Sequence, residues 1–389
     1  MRILLVTAEY PPMPGGVGAY TGELGKALAA LGCDVHVLTG RSTGPAAPGP
    51  LTVWRDLARW DWRLLSQIPQ RASSLAADWV HVQYQTGAYG MHPAINAAPW
   101  WWRFQRRRSR QRPFRVAWTY HDLRVPYLFP KAGERLRRWV TTWPATQSDQ
   151  VIVTNEGDRL ALADRIPNLA KIPIGSNIEA VRVTPDARRQ RRAQRGYGEH
   201  DLVIGYFGLL NPSKGGLTLV QTLAQLVRQG RNARLLMIGE RVGANDPTNF
   251  VYLQAVEAEI ERLGLADRVQ WTGQQPAAEV SADLHSCDLL LMPYEDGSSL
   301  RRGTLMAGLA HGCAIVTTTP HDPLLELVDG RDLLYVPPGD VAATTQAVLR
   351  LADDPALAAA VRAGAVAASQ QFTWQQIAQE HLQCYRSFD

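Results

Sequence analysis

Residues 293–308, PYEDGSSLRRGTLMAG, place two acids, two serines and two arginines in a short loop ahead of an apolar run. The pattern reads as a strand, a loop and a helix that starts near Ser298 or Ser299, whose hydroxyls can cap it. Arg301 and Arg302 then fall in the first helical turn. A cation there is unfavourable by ~0.3–1 kcal/mol, since the helix N-terminus is already partly positive. Two of them point to a bound anion that offsets the cost; a solvated arginine pair is the plainer alternative. A second such junction is FGLLNPSKGG (207–216), where Gly208 ends a strand and Lys214 stands at a helix entry. A cation there can meet a phosphate held by helix N–H groups. The spacing is not that of a P-loop, and a surface lysine is the alternative. A third is GGVGAY (15–20), with Gly15, Gly16, Val17 and Gly18 between the first strand and the first helix. Glycines admit a phosphate or sugar close to the backbone; a turn that serves packing alone is the alternative. In TYHDL (119–123), His121 ends a strand, where a histidine is either a ligand contact or a structural residue. Together these residues suit binding of a phosphorylated ligand and stabilisation of negative charge on a leaving group.

The elements that position them form two series. RILLVTA, a Pro/Gly loop, the helix YTGELGKALAALG and the strand DVHVLTG make a βαβ unit. Strands WVHVQY (79–84), RVAWTYH (115–121), QVIVTN (150–155) and KIPIGSN (171–177) extend it. The charged segment TPDARRQRRAQRGYGEH (184–200) reads as a solvated helix just past a domain boundary near 176. Strands LVIGYFG (202–208), ARLLMIG (233–239), RVQWTG (268–273), CDLLLMPY (287–294) and CAIVTTT (313–319) follow with helices between, and two helices, about 340–370 and 373–387, end the chain. The expectation is α/β: two doubly wound domains with ligands at the carboxyl ends of their strands, in the cleft between them.

Composition narrows the function. The 389 residues exceed one ordinary core. The net charge of +5 permits an acidic small ligand or an anionic membrane surface without demanding either. Only four of the 41 basic residues are lysines, so Lys214 in a motif carries weight. Cys33, Cys287, Cys313 and Cys384 lack zinc or disulfide spacing, which fits a reducing cytoplasm. The N-terminus reads as a strand rather than a signal peptide. No apolar run reaches the ~18 residues of a membrane span. A nicotinamide dinucleotide is disfavoured, because the first loop lacks G-x-G-x-x-G and the second strand ends in LTGR, without an acid for the ribose.

In order and spacing, PPMPGGVGAYTGELGKALAALGCDVHVLTG, YHD, IPIGSN, FGLLNPSKGG, MIGE and PYEDGSSLRRGTLMAGLAHGCAIVTT resemble family 4 retaining glycosyltransferases over nearly the whole chain. The resemblance implies the GT-B fold, two Rossmann-like domains facing across a cleft. Residues 1–176 with 372–389 would bind the acceptor, and 177–371 the nucleotide sugar. It implies a sugar moved from a nucleotide-sugar donor to a glycan or lipid-linked acceptor with retained configuration, with no metal and no cofactor, the nucleotide sugar being a substrate. The leaving phosphate would take the acceptor proton on the same face. Carried over by position, Gly15, Gly16, Val17 and Gly18 lie near the donor phosphates and acceptor, and His121 contacts the donor sugar. Lys214 contacts the diphosphate, Glu240 borders the nucleotide, and Gln274 and Gln275 flank the base. Two departures stand out. Leu209 replaces the arginine common after Gly208, and Ser299 and Ala307 occupy the positions of two common glutamates. The expectation is that Arg301 or Arg302 supplies the lost cation and Glu295 or Asp296 the sugar contact, with Ser298 and Ser299 beside the phosphate. A non-catalytic binding or scaffold protein and a nucleotide-sugar epimerase are the rival readings.

WWWRFQRRRSRQRPFR (100–115) and RLRRW (135–139) mix aromatic residues with arginine. Such clusters suit an anionic headgroup layer, against the alternative of a solvated helix and loop. The expectation is a cytoplasmic protein, peripheral at the inner membrane face, in polysaccharide or glycolipid assembly. No nucleic-acid-binding module accompanies the charge.

Overall fold

The computed structural model describes residues 1–389 apart from 14, 42–48, 109–113, 127, 129, 182, 243–246 and 389. The chain forms two compact units, Met1–Asn177 with Thr373–Asp389, and Ile178–Phe372.

The first unit is a seven-stranded sheet in the order β3-β2-β1-β4-β5-β6-β7, parallel throughout. Its strands are β1 (Arg2–Val6), β2 (Asp34–Gly40), β3 (Thr52–Leu57), β4 (Trp79–Tyr84), β5 (Arg115–Tyr120), β6 (Gln150–Val153) and β7 (Leu169–Lys171). Side chains alternate across a strand. Leu4 and Val6 of β1 therefore join one core with Val80, Trp102 and Trp118. Ile3 and Leu5 join another with Leu24, Leu28 and Leu382. Helices thus cover both faces, which is why the strands read as near-continuous apolar runs. The helix Trp374–Arg386, capped by Thr373, packs on the helix Gly16–Ala30. The Trp374 indole N–H donates to the Ser176 carbonyl at 2.6 Å.

The second unit has six parallel strands in the order β10-β9-β8-β11-β12-β13. They are β8 (Leu202–Phe207), β9 (Ala233–Ile238), β10 (Val269–Trp271), β11 (Leu289–Met292), β12 (Ile315–Thr318) and β13 (Leu334–Val336). Strand order reverses between β8 and β11, and ligands of such sheets sit at the carboxyl ends beside that reversal. The loops that leave these two strands carry Gly208, Lys214 and Glu295 through Arg302. The equivalent reversal in the first unit lies between β1 and β4, and the chain leaving β1 leads to the helix Gly16–Ala30, with Gly15 as its N-cap.

Both units are doubly wound, as expected, but several elements differ from the sequence reading. The strand expected at 171–177 is Leu169–Lys171, because Pro173 cannot continue a ladder. β3 and β13 were not anticipated. The long helix near 340–370 is two, Val341–Asp353 and Pro355–Ser369, with Asp354 capping the second. The Pro185–Gln194 helix is not simply solvated. Arg191 and Arg195 pair with Asp283, whose side chain is fully buried, and Arg188 and Arg192 pair with Asp288. Opposite charge rather than an apolar stripe docks this helix.

Candidate active site

In the second unit the candidate residues converge on Tyr294, at the end of β11. The Lys214 ammonium lies 5.1 Å from the centre of its ring, and the Arg302 guanidinium 4.6 Å. An aromatic face attracts cations, more so when they are partly desolvated. The ring is buried, and its hydroxyl bonds the Thr304 hydroxyl at 2.8 Å. Burial pushes the phenol up to about 12. Thr304 in turn packs on Gly208: a Cβ built there would lie 2.9 Å from the threonine methyl. Gly208 also sits at φ +125°, which disfavours any other residue. Leu209 is 43% exposed beside it, so the missing arginine leaves an apolar side chain in its place.

Two helix N-termini open at the same place. Gly216–Arg228 follows Lys214, and Gly303–Ala310 follows Arg302. The first N–H groups of a helix lack intrahelical partners and favour an anion, although in the first of these two the Leu217 N–H already donates to the Tyr252 hydroxyl at 3.3 Å. Gly215 joins Lys214 to its helix at φ +67°, and a Cβ there would lie 1.8 Å from the Pro293 carbonyl oxygen. The two loops therefore touch backbone to backbone.

The acids divide. Asp296 pairs with Arg302. Glu295 accepts from the Thr218 hydroxyl at 3.1 Å and its backbone N–H bonds the Ser213 carbonyl at 3.0 Å. Gly208, Lys214, Glu295, Asp296 and Arg302 are thus brought together, with Tyr294, Thr304 and Thr218, which the sequence did not reveal.

Three expectations are corrected here. The helix does not start at Ser298 or Ser299 but at Gly303. Ser298 is buried, and its backbone N–H bonds the Thr318 carbonyl on β12, which holds the segment in a loop. Ser299 Oγ accepts from the Arg301 N–H at 3.3 Å, within that loop. Arg301 and Arg302 therefore precede the helix; Arg302 reaches Tyr294 while Arg301 is exposed. Ala307 is fully buried in the helix interior.

Gly239 and Gly273 pair where β9 and β10 end, so the exposed Glu240 and Gln274 follow adjacent strand ends. Gln275 is drawn elsewhere. Its amide donates to Asp283 at 2.8 Å and accepts from Arg195 at 2.7 Å.

In the first unit, His121 leaves β5 with its Nε2–H donating to Gln83 Oε1 at 3.0 Å. Burial lowers its pKa to about 3, with nearby His381 adding to the effect. The ring is neutral at ordinary pH, with Nδ1 left as an acceptor. Tyr20 of the Gly16–Ala30 helix packs edge-on against it at 4.7 Å, so the helix that the glycine motif opens reaches His121. A Cβ on Gly15 would fall 2.0 Å from the Glu9 carboxylate, and one on Gly18 2.8 Å from the Glu9 carbonyl. Gly16 faces open space, whereas Val17 is buried in the core. Burial raises the Glu9 carboxyl pKa. The glycine motif alone did not disclose this acid beside the helix N-terminus.

The profile described as Glycosyltransferase Family 4 matches residues 14–179, and that described as Glycosyl transferases group 1 matches 201–354. The chain belongs to the family 4 glycosyltransferases. This glycosyltransferase is 26% identical to the glycogen synthase of Mycobacterium tuberculosis, over 99% of this chain and 94% of that one. It is 29% identical to the 2-deoxystreptamine glucosyltransferase of Streptomyces kanamyceticus, over 52% of this chain and 53% of that one. HepE of Anabaena, solved with UDP, superimposes with a TM-score of 0.75 at 20% identity over 100% of both chains, which shows the GT-B fold. The glycosyltransferase uses a nucleotide-sugar donor. Among the described residues no helix is long and apolar enough to cross a membrane.

Proposed function

We propose that the second unit holds the donor and the first the acceptor. The carrying observation is the convergence of Lys214 and Arg302 on Tyr294 beside two helix N-termini. As the anomeric C–O bond breaks, negative charge grows on the leaving diphosphate, and these groups meet it. Arg302 would exchange Asp296 for the phosphate. The acceptor hydroxyl attacks on the face the diphosphate leaves, and its proton passes to a leaving phosphate oxygen, so configuration is retained. In the first unit His121 would accept a hydrogen bond from a sugar hydroxyl through Nδ1, and in the second Glu295 is read as a sugar contact. Glu240 and Gln274 border the nucleotide. The reaction is read as metal-independent because Lys214 and Arg302 would supply the positive charge that the leaving diphosphate needs.

The acceptor is a glycan or a lipid-linked sugar, and the protein works in the cytoplasm against the membrane. Trp100 and Trp139 are about half exposed, and Trp143 stands beside both, at 6.2 and 5.5 Å. Phe104 extends this row from Trp100, with Arg103, Arg135 and Arg138 exposed nearby. Within 100–115, residues 109–113 lie outside the described ones. Amphipathic rings and cations of this kind suit an anionic interface.

The test is turnover with the preferred nucleotide sugar, followed by NMR of the product anomer, with and without a chelator. Retention and chelator insensitivity are expected; an inverted product or chelator-abolished turnover would refute the mechanism. For the membrane face, binding should rise with the anionic fraction of phosphatidylglycerol/phosphatidylcholine vesicles and drop severalfold in a Trp100→Ser/Trp139→Ser variant. Binding indifferent to lipid charge would dismiss it.

A further inference from the structure

The first unit contains a cavity of about 190 Å³ that the proposed chemistry does not use. Tyr84, Ile95, Leu128, Leu136 and Val140 are among its walls, with Arg137 at its edge. Most of its lining is apolar, and several polar side chains in it have partners: Thr86 donates to the Arg124 carbonyl at 2.8 Å, Asn96 donates to the Val140 carbonyl at 3.0 Å, and His92 Nδ1 accepts the Ala94 N–H at 3.2 Å. The walls therefore favour an apolar occupant. A cavity of about 150 Å³ can hold a benzene ring, so this one has room for a short stretch of hydrocarbon.

Two further observations identify the occupant. Leu128 and Leu136 line the cavity yet are 40% and 51% exposed, so an apolar path leads out of it. Exposed cations flank that path: Lys131 precedes the lining residue Ala132, and Arg135 precedes Leu136. An amphiphile with an apolar tail and an anionic head matches this combination.

We propose that this cavity seats the apolar tail of an anionic lipid, with its head at Lys131 and Arg135 outside the opening. Arg137 lines the cavity, and its guanidinium donates to the Pro126 and Gly133 carbonyls.

The test is calorimetric titration of the full chain with alkyl phosphates of four to ten carbons, below their micelle concentrations. Affinity should rise about fourfold per methylene at first and then level off once the cavity is full. Leu136→Asp should lower the plateau affinity at least tenfold with an unchanged thermal midpoint. Leu325→Asp, at an exposed leucine of the other unit, should leave it unaltered. Decyl phosphate should bind more tightly than decyl glucoside. No dependence on chain length, wild-type affinity in Leu136→Asp, or equal affinity for the two heads would each overturn the proposal. The readout is independent of nucleotide binding, so failure here is separable from failure of the donor site.

Discussion

At the scale of residues, the site depends on a few cations whose partners are set by tertiary contact. Lys214 was legible because a rare lysine follows a glycine at a strand end. Tyr294 and Thr304 were not, since nothing local marks a tyrosine that will gather cations from two loops. Arg302 was legible as a cation but not its neighbour Asp296 as its partner. If Lys214 stabilises the leaving diphosphate, Lys214→Ala should lower kcat by ~10²–10³, the usual loss for one oxyanion donor. Lys214→Arg should recover part of it. Steady-state kinetics with saturating donor reads both. If Asp296 competes with phosphate for Arg302, Asp296→Asn should tighten nucleoside diphosphate binding severalfold by calorimetry, and weaker binding would instead make the carboxylate a ligand contact.

At the scale of elements, glycines and buried histidines do the positioning. Gly215 lets the Lys214 loop touch Pro293. Gly215→Ala meets both the positive φ and that carbonyl, so it should lower the thermal midpoint by several degrees and weaken nucleotide binding together. The C-terminal helix carries a histidine network. His381 bonds Tyr20 at 3.2 Å, and Tyr385 bonds His81 at 2.6 Å. Burial lowers His381 to about 4 and His121 to about 3, and holds His81 well below 6.5. Below about pH 6.5 the unfolded chain takes protons that these rings refuse. Acidification therefore favours unfolding, by up to about 1.4 kcal/mol per pH unit for each ring. Differential scanning calorimetry should show the midpoint falling steeply from pH 6 towards 4.5, and a shallower fall in His381→Asn. A midpoint flat over that range would contradict the network. The helix itself was legible from sequence; the bond from its Tyr385 to His81 on β4, 304 positions away, was not.

At the scale of the whole molecule, the doubly wound class was legible from apolar strands alternating with amphipathic helices, because that alternation is what buries both faces of a parallel sheet. β3 was missed because TVWRDL is only partly buried, as befits an edge strand. The Pro185–Gln194 helix was misjudged because its docking force is charge, which carries no apolar period. Helix starts inside the site were also unreadable: the Ser298 N–H is held by a strand that comes later in the chain.

The central claim is that the donor diphosphate rests on Lys214 and Arg302. The most direct measurement is calorimetry of UDP, GDP, ADP and dTDP, the tightest of them compared with its own nucleoside, on the wild type and on Lys214→Ala/Arg302→Ala. The account predicts that the diphosphate adds at least tenfold affinity over the nucleoside in the wild type, and that the double variant loses this increment while keeping nucleoside binding. An undiminished increment in the double variant, or no binding of any nucleoside diphosphate to the wild type, would contradict it.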